Sequence, residues 1–251
     1  MRLKDRVAIV TGGGRGIGAV FCRGLAREGA AVVAADIDEA GAKSVADSIR
    51  ADGGRAVSCR VDVADPVATE AMAKTAIEAF GGIDILVNDA AMYANLKRKP
   101  FDQITPEEFD RVLAVNVKGI WLCTKAVVPS MRARGKGKIV NIGSGSIFVG
   151  GNGLVHYVAS KSGVIGLTRG LARELGEHNI FVNTLLPGLT DSDSNRANTT
   201  RDYLESEAKQ RSIKRIQVPE DLVGALMFLV SDDSDFVSGQ NLNCDGGRLF
   251  I

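Results

Sequence analysis

Apolar and polar positions alternate between two kinds of segment along the whole chain. Short, nearly continuous apolar runs occur at Val7–Thr11, Ala31–Asp36, Ala56–Val61, Ile83–Asn88, Lys138–Gly143 and Ile180–Leu185, with a last one near Asn241–Cys244. Continuous runs are the pattern of strands buried on both faces. Segments of helical period lie between them, and their starts are marked. Asp65-Pro66 and Thr105-Pro106-Glu107-Glu108 each set a capping residue ahead of a proline at the first helical position. Glu108 stands where a capping-box glutamate would. Gly29-Ala30 and Gly81-Gly82 fall where helices should end and strands begin. Repeated strand–helix units predict an α/β fold, a doubly wound parallel sheet with helices on both faces. No repeat, linker or low-complexity tract interrupts it, so residues 1–251 read as one domain. Only the stretch at about 188–215 breaks the pattern: it is polar from Thr190 to Thr200, then passes into a short helix around Tyr203–Gln210. Such an insertion serves as a substrate lid or binding loop, or is a solvated surface loop.

Composition narrows the classes. Lysine and arginine number 31 against 30 aspartate and glutamate, a net charge of +1, which argues against a nucleic-acid binder. With 45% hydrophobic and 24% charged residues the chain has the make-up of a folded protein. Cys22, Cys59, Cys123 and Cys244 form no CxxC pair and only two histidines are present, so no metal site is expected. Neither a signal segment nor an apolar stretch of membrane-spanning length is read, and a reducing cytoplasm with no membrane partner is the expectation.

Chemistry concentrates in two places. Thr11-Gly12-Gly13-Gly14-Arg15-Gly16-Ile17-Gly18 links the first strand to the first helix. Glycines there let the backbone approach a pyrophosphate, and the helix N-terminus offers free N–H groups to the anion. A tight turn explains a glycine cluster nearly as well, but the second strand ends in Asp36, eighteen residues past Gly18. A carboxylate there bonds ribose hydroxyls and repels the 2′-phosphate of NADP, so NAD is the expected cofactor. Arg15 is the contrary signal, since it can pair with that phosphate. Asp62-Val63 is placed to clasp an adenine amino group, or is a strand-end turn.

The second cluster is Ser144, Tyr157 and Lys161. Tyr157 and Lys161 are four apart in the helical segment Tyr157–Leu175 and share a face. An ammonium about 4 Å from a phenol is worth up to about 4 kcal/mol at moderate dielectric. On that arithmetic Lys161 should lower the Tyr157 pKa by up to about three units, and a bound oxidised nicotinamide would add to this. A phenolate so formed takes the proton of an alcohol while hydride leaves its carbon. Ser144, at the carboxyl end of its strand, would orient the substrate oxygen.

These residues resemble the short-chain dehydrogenase/reductase family in its NAD-preferring, single-domain form, and the similarity covers nearly the whole chain. Thr11-Gly12-x-x-x-Gly16-x-Gly18, Tyr157-x-x-x-Lys161 with Ser144 thirteen residues before the tyrosine, Asn116 and Pro187-Gly188 carry it. The resemblance implies a Rossmann-like seven-stranded parallel sheet. It makes Tyr157 the catalytic base, with Lys161 holding the nicotinamide ribose. Ser144 would bind the reacting oxygen, and Asn116 would position a water relaying protons by way of Lys161. It places Gly12, Arg15, Gly16, Ile17, Gly18, Asp36, Asp62, Val63, Asn88, Ala90, Pro187, Gly188 and Thr190 around the cofactor, with Thr190 at the nicotinamide carboxamide. Gly239-Gln240 and Asp245-Gly246-Gly247 would be structural. Where the family usually carries Asn-Asn-Ala-Gly, this chain has Asn88-Asp89-Ala90-Ala91, which adds a methyl and a carboxylate to the cofactor cleft.

Met92–Arg98, Gly145–His156 and the lid are expected to line the substrate pocket, mixing Tyr93, Phe148, Val149 and Leu154 with Asn95, Ser146, Asn152 and His156. His156 reads as a substrate contact or a satisfied neighbour of the tyrosine, and His178 as a cation at a helix C-terminus. In similar family members the C-terminus, here Leu249-Phe250-Ile251, packs at a subunit interface. Long helices near Pro106–Arg134 and Tyr157–Gly176 make dimer contacts there, so a homotetramer or homodimer is expected. The function expected is an NAD-dependent oxidoreductase interconverting a secondary alcohol and a ketone. An NADPH-dependent 3-oxoacyl-[acyl-carrier-protein] reductase is the alternative, with Lys118, Lys125, Arg132, Arg134, Lys136 and Lys138 as a carrier-docking site or a solvated face. A catalytically idle NAD-binding sensor is the other; it would not need the catalytic trio.

Overall fold

The apolar runs become the centre of one parallel sheet. The computed structural model describes residues 1–94, 96–196 and 199–250. Strands β1 (Val7–Thr11), β2 (Ala31–Asp36), β3 (Arg55–Arg60), β4 (Ile85–Asn88), β5 (Gly137–Ile142), β6 (Ile180–Pro187) and β7 (Asn241–Cys244) pair in the order β3-β2-β1-β4-β5-β6-β7. All six pairings are parallel. β1, β2, β4 and β5 are buried along their whole length, whereas the edge strands β3 and β7 are partly open. That matches the continuous runs of the central strands.

Successive side chains on a strand point to opposite faces, so each central strand feeds two cores. Ala8, Val10, Val32 and Ala34 pack under α1 (Gly16–Arg27), α2 (Glu39–Ala51) and the late α10 (Val223–Val230). Val7, Ile9, Ala31 and Val33 pack on the other side. There they meet α3 (Pro66–Phe80), then α4 (Pro106–Leu113) continued by α5 (Gly119–Ala133), and α7 (Val155–Leu175). A short α6 (Ser146–Val149) precedes α7; α8 (Asp193–Arg196) and α9 (Arg201–Lys209) lie in the expected lid segment.

Local signals resolve as follows. Asp65 and Thr105 cap α3 and α4, accepting from the Val67 and Glu108 N–H groups. Glu108 does not close the capping box, because Lys99 and His156 take its carboxylate. Gly29 and Gly81 follow their helices at φ +98 and +83, the left-handed conformation glycine tolerates. β4 starts at Ile85 rather than Ile83, since the Ile83 N–H goes to Ser130 Oγ and the Asp84 carboxylate takes the Val7 N–H. β3 and β5 begin one residue early, and α7 two. Between α4 and α5 the rod widens into a π-helical turn, Ala114–Lys118, which carries Asn116; such wide turns concentrate at functional sites. By length and composition alone the rod Pro106–Ala133 is long and apolar enough to cross a bilayer. Over half of its apolar window is buried within this fold.

Candidate active site

β1 neighbours both β2 and β4, so the winding direction reverses there and a crevice opens beyond the carboxyl ends of the strands. A cleft of about 750 Å³ occupies it. Gly12 and Gly16 adopt φ +70 and +56 in the turn that leaves β1. A Cβ at Gly18 would stand 2.2 Å from the Gly12 carbonyl oxygen, and one at Gly12 would stand 2.9 Å from the Ala90 N. The close approach of backbone to backbone thus requires both glycines. Arg15 precedes α1 in extended conformation and its side chain caps nothing, so the first N–H groups of the helix remain for an anion. A dinucleotide diphosphate fits this cradle.

At the far end of β2, Asp36 lines the cleft. Its Oδ2 accepts the Gly14 N–H at 2.9 Å and its Oδ1 the Asp38 N–H at 2.9 Å. Those bonds fix the carboxylate beside the glycine loop. Asp62 and Val63 line the cleft as well. Burial pushes the Asp62 carboxyl up, but Arg111 and the Ala64 N–H outweigh it and hold the group below the usual range.

Ser144, Tyr157 and Lys161 converge on the same cleft. Tyr157 and Lys161 come from the first turns of α7, and Ser144 stands two residues past β5. The Ser144 hydroxyl lies beside Tyr157 and favours its ionised form, and its Oγ accepts the Ser146 N–H at 3.2 Å. Lys161 Nζ donates to the Ile142 carbonyl at 2.7 Å and lies 5.8 Å from the centre of the Tyr157 ring. The lowering of the Tyr157 pKa expected from Lys161 is not found. Burial and the neighbouring Tyr93 push the phenol up, and only the Ser144 hydroxyl opposes them. Burial moves the Lys161 ammonium the other way, down to about 8, against the pull of Asp89.

Residues 12–248 match the family model described as enoyl-(acyl carrier protein) reductase. The chain is 42% identical over 245 residues to an uncharacterised oxidoreductase of Mycobacterium tuberculosis, covering 98% of each. It is 39% identical over 259 residues to a galactitol 2-dehydrogenase of Agrobacterium fabrum, covering 99% of each. The crystal structure of a putative NAD(P)-dependent gluconate 5-dehydrogenase from Beutenbergia cavernae, with NADP bound at low occupancy, superposes with a TM-score of 0.90. It is 36% identical, covering 98% of this chain and 97% of that one. The chain belongs to the short-chain dehydrogenase/reductase family.

Several residues of this short-chain dehydrogenase/reductase lie where the sequence did not place them. Thr190 is fully buried, donates to the Gly188 carbonyl and bridges to Gln217, so it does not line the cleft; Ser192 does. Spacing after Pro187-Gly188 was the only signal, and the one-residue bridge at Thr190 could not be read from it. His156 is also sealed from the cleft, with Nε2 3.2 Å from Glu108 Oε1 and Nδ1 buried without a partner among the described residues, so it neighbours the tyrosine and does not line the cleft. Asn88 and Asn116 are buried behind the lining. Asn88 Nδ2 donates to Asn141 Oδ1, and Asn116 joins the Met92 backbone to Ser160 Oγ. Phe148 is exposed off the cleft, whereas Tyr93, Ser146, Val149, Asn152 and Leu154 line it. Asn95, Ala197, Asn198 and Ile251 lie outside the described residues. The segment expected to form a lid adds Tyr203 and Glu207 to the cleft lining, the latter paired with Arg248, which sequence reading missed. His178 sits in the turn after α7, against Glu177.

Proposed function

We propose that the protein is an NAD-dependent dehydrogenase that interconverts a secondary alcohol and a ketone, with Tyr157 as general acid and base. Membership of this oxidoreductase family, with alcohol dehydrogenases among its relatives, is the firm base. The convergence of Ser144, Tyr157 and Lys161 on one cleft with Asp36 carries the finer reading.

Bound NAD would supply the hydride acceptor and a positive charge beside the phenol. In the oxidative direction Ser144 holds the substrate oxygen by its hydroxyl while Tyr157 Oη takes the proton from it. Lys161, anchored on the Ile142 carbonyl, keeps a cation on the tyrosine's face of α7. Asn116 holds the π-helical turn against Ser160, whose hydroxyl donates to the Tyr157 carbonyl, and so supports the start of α7. A relay water at Asn116 belongs to the same proposal. Around the cofactor the reading places Gly12, Arg15, Gly16, Ile17, Gly18, Ala90 and Pro187-Gly188.

Asp36 supports NAD because its carboxylate would face the 2′-phosphate of NADP. NADP use remains the second reading, on two observations: Arg15 lines the same cleft, and the structure of the putative gluconate 5-dehydrogenase holds NADP at low occupancy. For a carrier-protein reductase, half of the suggested docking patch is drawn into ion pairs, while Lys118, Lys125 and Arg132 stay exposed. Arg134 pairs with Asp84, Lys136 with Asp232 and Asp235, and Lys138 is buried on Ser234 and Asp235. The complete trio counts against an idle sensor. The partly exposed Trp121 on the rod supports a homodimer or homotetramer built on that face and α7. The four free thiols fit a reducing cytoplasm.

The test is reduced-nicotinamide absorbance with NAD and, separately, NADP across secondary alcohols, sugar alcohols and hydroxy acids. Turnover with NAD on one chemical class is expected. NADP-only turnover would overturn the cofactor assignment, and NADH binding without turnover on any class would favour the sensor.

A further inference from the structure

Asp89 is one of the ionisable groups of the cleft that the proposed reaction does not use. Asp89 follows β4, where the resemblance leads one to expect asparagine, and it lines the cleft. Its Oδ2 lies so close to Gly18 that a Cβ there would stand 2.8 Å from it, and the nearby Gly18 N–H favours its ionised form. Gly18 is the third residue of α1, so its N–H is one that the helix's own ladder leaves free. These are the groups that grip a diphosphate. Asp89 therefore sets a carboxyl against the helix end that a dinucleotide needs.

The charges around it come from every neighbouring element. Asp36 faces it from β2, Lys161, Cys22 and Tyr157 face it from α7 and α1, and Arg15 lines the same cleft just ahead of α1. Burial raises both the thiol and the phenol, so neither adds charge at neutral pH. Burial and Asp36 also push the Asp89 carboxyl up, to about 7, against the pull of Lys161 and the Gly18 N–H. A diphosphate arriving beside it is a further like charge, which disfavours the ionised form again.

We propose that Asp89 couples dinucleotide binding to proton uptake: its carboxyl takes a proton as the diphosphate settles at the N-terminus of α1, so cofactor affinity falls as the solution becomes alkaline. This rests on the dinucleotide reading above. The sign follows from linkage. A group whose pKa is higher in the complex than in the free protein binds a proton on complex formation, and affinity is greatest below the free value. The neutral carboxyl no longer repels the phosphates and can donate to one of their oxygens. The asparagine expected at this position would be neutral at every pH, so the dependence is particular to aspartate.

NADH binding to the full protein is measured by fluorescence and calorimetry at pH 6, 7 and 8, in paired buffers of different ionisation enthalpy. Kd is expected to rise up to about tenfold from pH 6 to 8, with uptake of about one proton at pH 8. Asp89→Asn should hold Kd within about twofold from pH 6 to 7 and take up less than half as many protons as the parent, Lys161 being the other group of the cleft that titrates near this range. ADP-ribose, which keeps the diphosphate and lacks the nicotinamide, should reproduce the proton uptake, and adenosine should not. These ligand arms need no variant, so they stand even if Asp89→Asn misfolds. Binding of NADH without proton uptake, or an asparagine variant with the parent's pH dependence, would overturn the proposal. Absence of NADH binding at every pH would overturn the dinucleotide reading and this inference with it.

Discussion

Lys161 carries its ammonium one helical turn from Tyr157 and 5.8 Å from the centre of that ring, while donating to the Ile142 carbonyl. At that reach its attraction does not offset burial, and the free protein keeps the phenol protonated well above neutrality. The charge that makes a phenolate accessible must therefore come with the cofactor. The chain has three tyrosines, Tyr93, Tyr157 and Tyr203. Ultraviolet difference titration of the free protein, set against Tyr157→Phe, should assign no tyrosinate to Tyr157 below about pH 9. With saturating NAD Tyr157 should ionise earlier. Early ionisation of Tyr157 in the free protein would mean that Lys161 alone activates the phenol.

Asp36 is fixed by the Gly14 and Asp38 N–H groups at the cofactor end of the cleft. Asp36→Ala, with Arg15 left in place, removes a like charge from the 2′-phosphate position. The ratio of kcat/KM with NADP to that with NAD should rise by about 10- to 100-fold. Unchanged discrimination in initial-rate assays would show that Asp36 does not read the ribose.

Gly18→Ala places a methyl 2.2 Å from the Gly12 carbonyl oxygen, where backbone must move. Denaturant unfolding should show a loss of about 1–3 kcal/mol. NADH binding should weaken by about tenfold or more, because the same shift disturbs the helix end that receives the anion. Binding at parental strength would separate the glycine loop from the cofactor.

Lys138 is buried, with Asp235 at 2.9 Å, Ser234 at 2.9 Å and the Phe181 ring centre 4.2 Å away. Asp235→Asn leaves that ammonium with its hydroxyl and ring alone. Since the Asp235 side chain is 44% exposed, solvent screens part of the loss, and about 1–2 kcal/mol is expected in urea unfolding. Burial raises the Asp235 carboxyl, but Lys136 and Lys138 outweigh it and hold it below the usual range. A depressed carboxyl stabilises the fold above its unfolded pKa, near 4. The difference between parent and variant should therefore be complete at pH 7 and shrink as pH falls through the acid range. A pH-independent difference would assign the effect to packing.

The sheet was legible because its central strands are buried on both faces and their sequences are continuously apolar. The convergence of the glycine loop, Asp36 and the trio on one cleft was legible because their placement depends on spacings along strand ends and one helix face. What escaped depends on contacts distant in sequence. Thr190 turns inward on a bridge to Gln217, and Glu108 leaves its cap for Lys99 and His156. The basic residues after Arg132 read as a patch only while Asp84, Asp232 and Asp235 were unplaced. The Tyr157 pKa failed for a related reason: a Coulomb estimate from helical spacing contains no burial.

The central claim is that Tyr157 Oη moves the substrate proton. It is tested most directly by Tyr157→Phe, measured for turnover on the class found with NAD and for NADH binding in the same preparation. The account predicts a fall in kcat of about 10³-fold or more, with the NADH Kd within about threefold of the parent. Turnover within about tenfold of the parent, in a variant that still binds NADH, would contradict it.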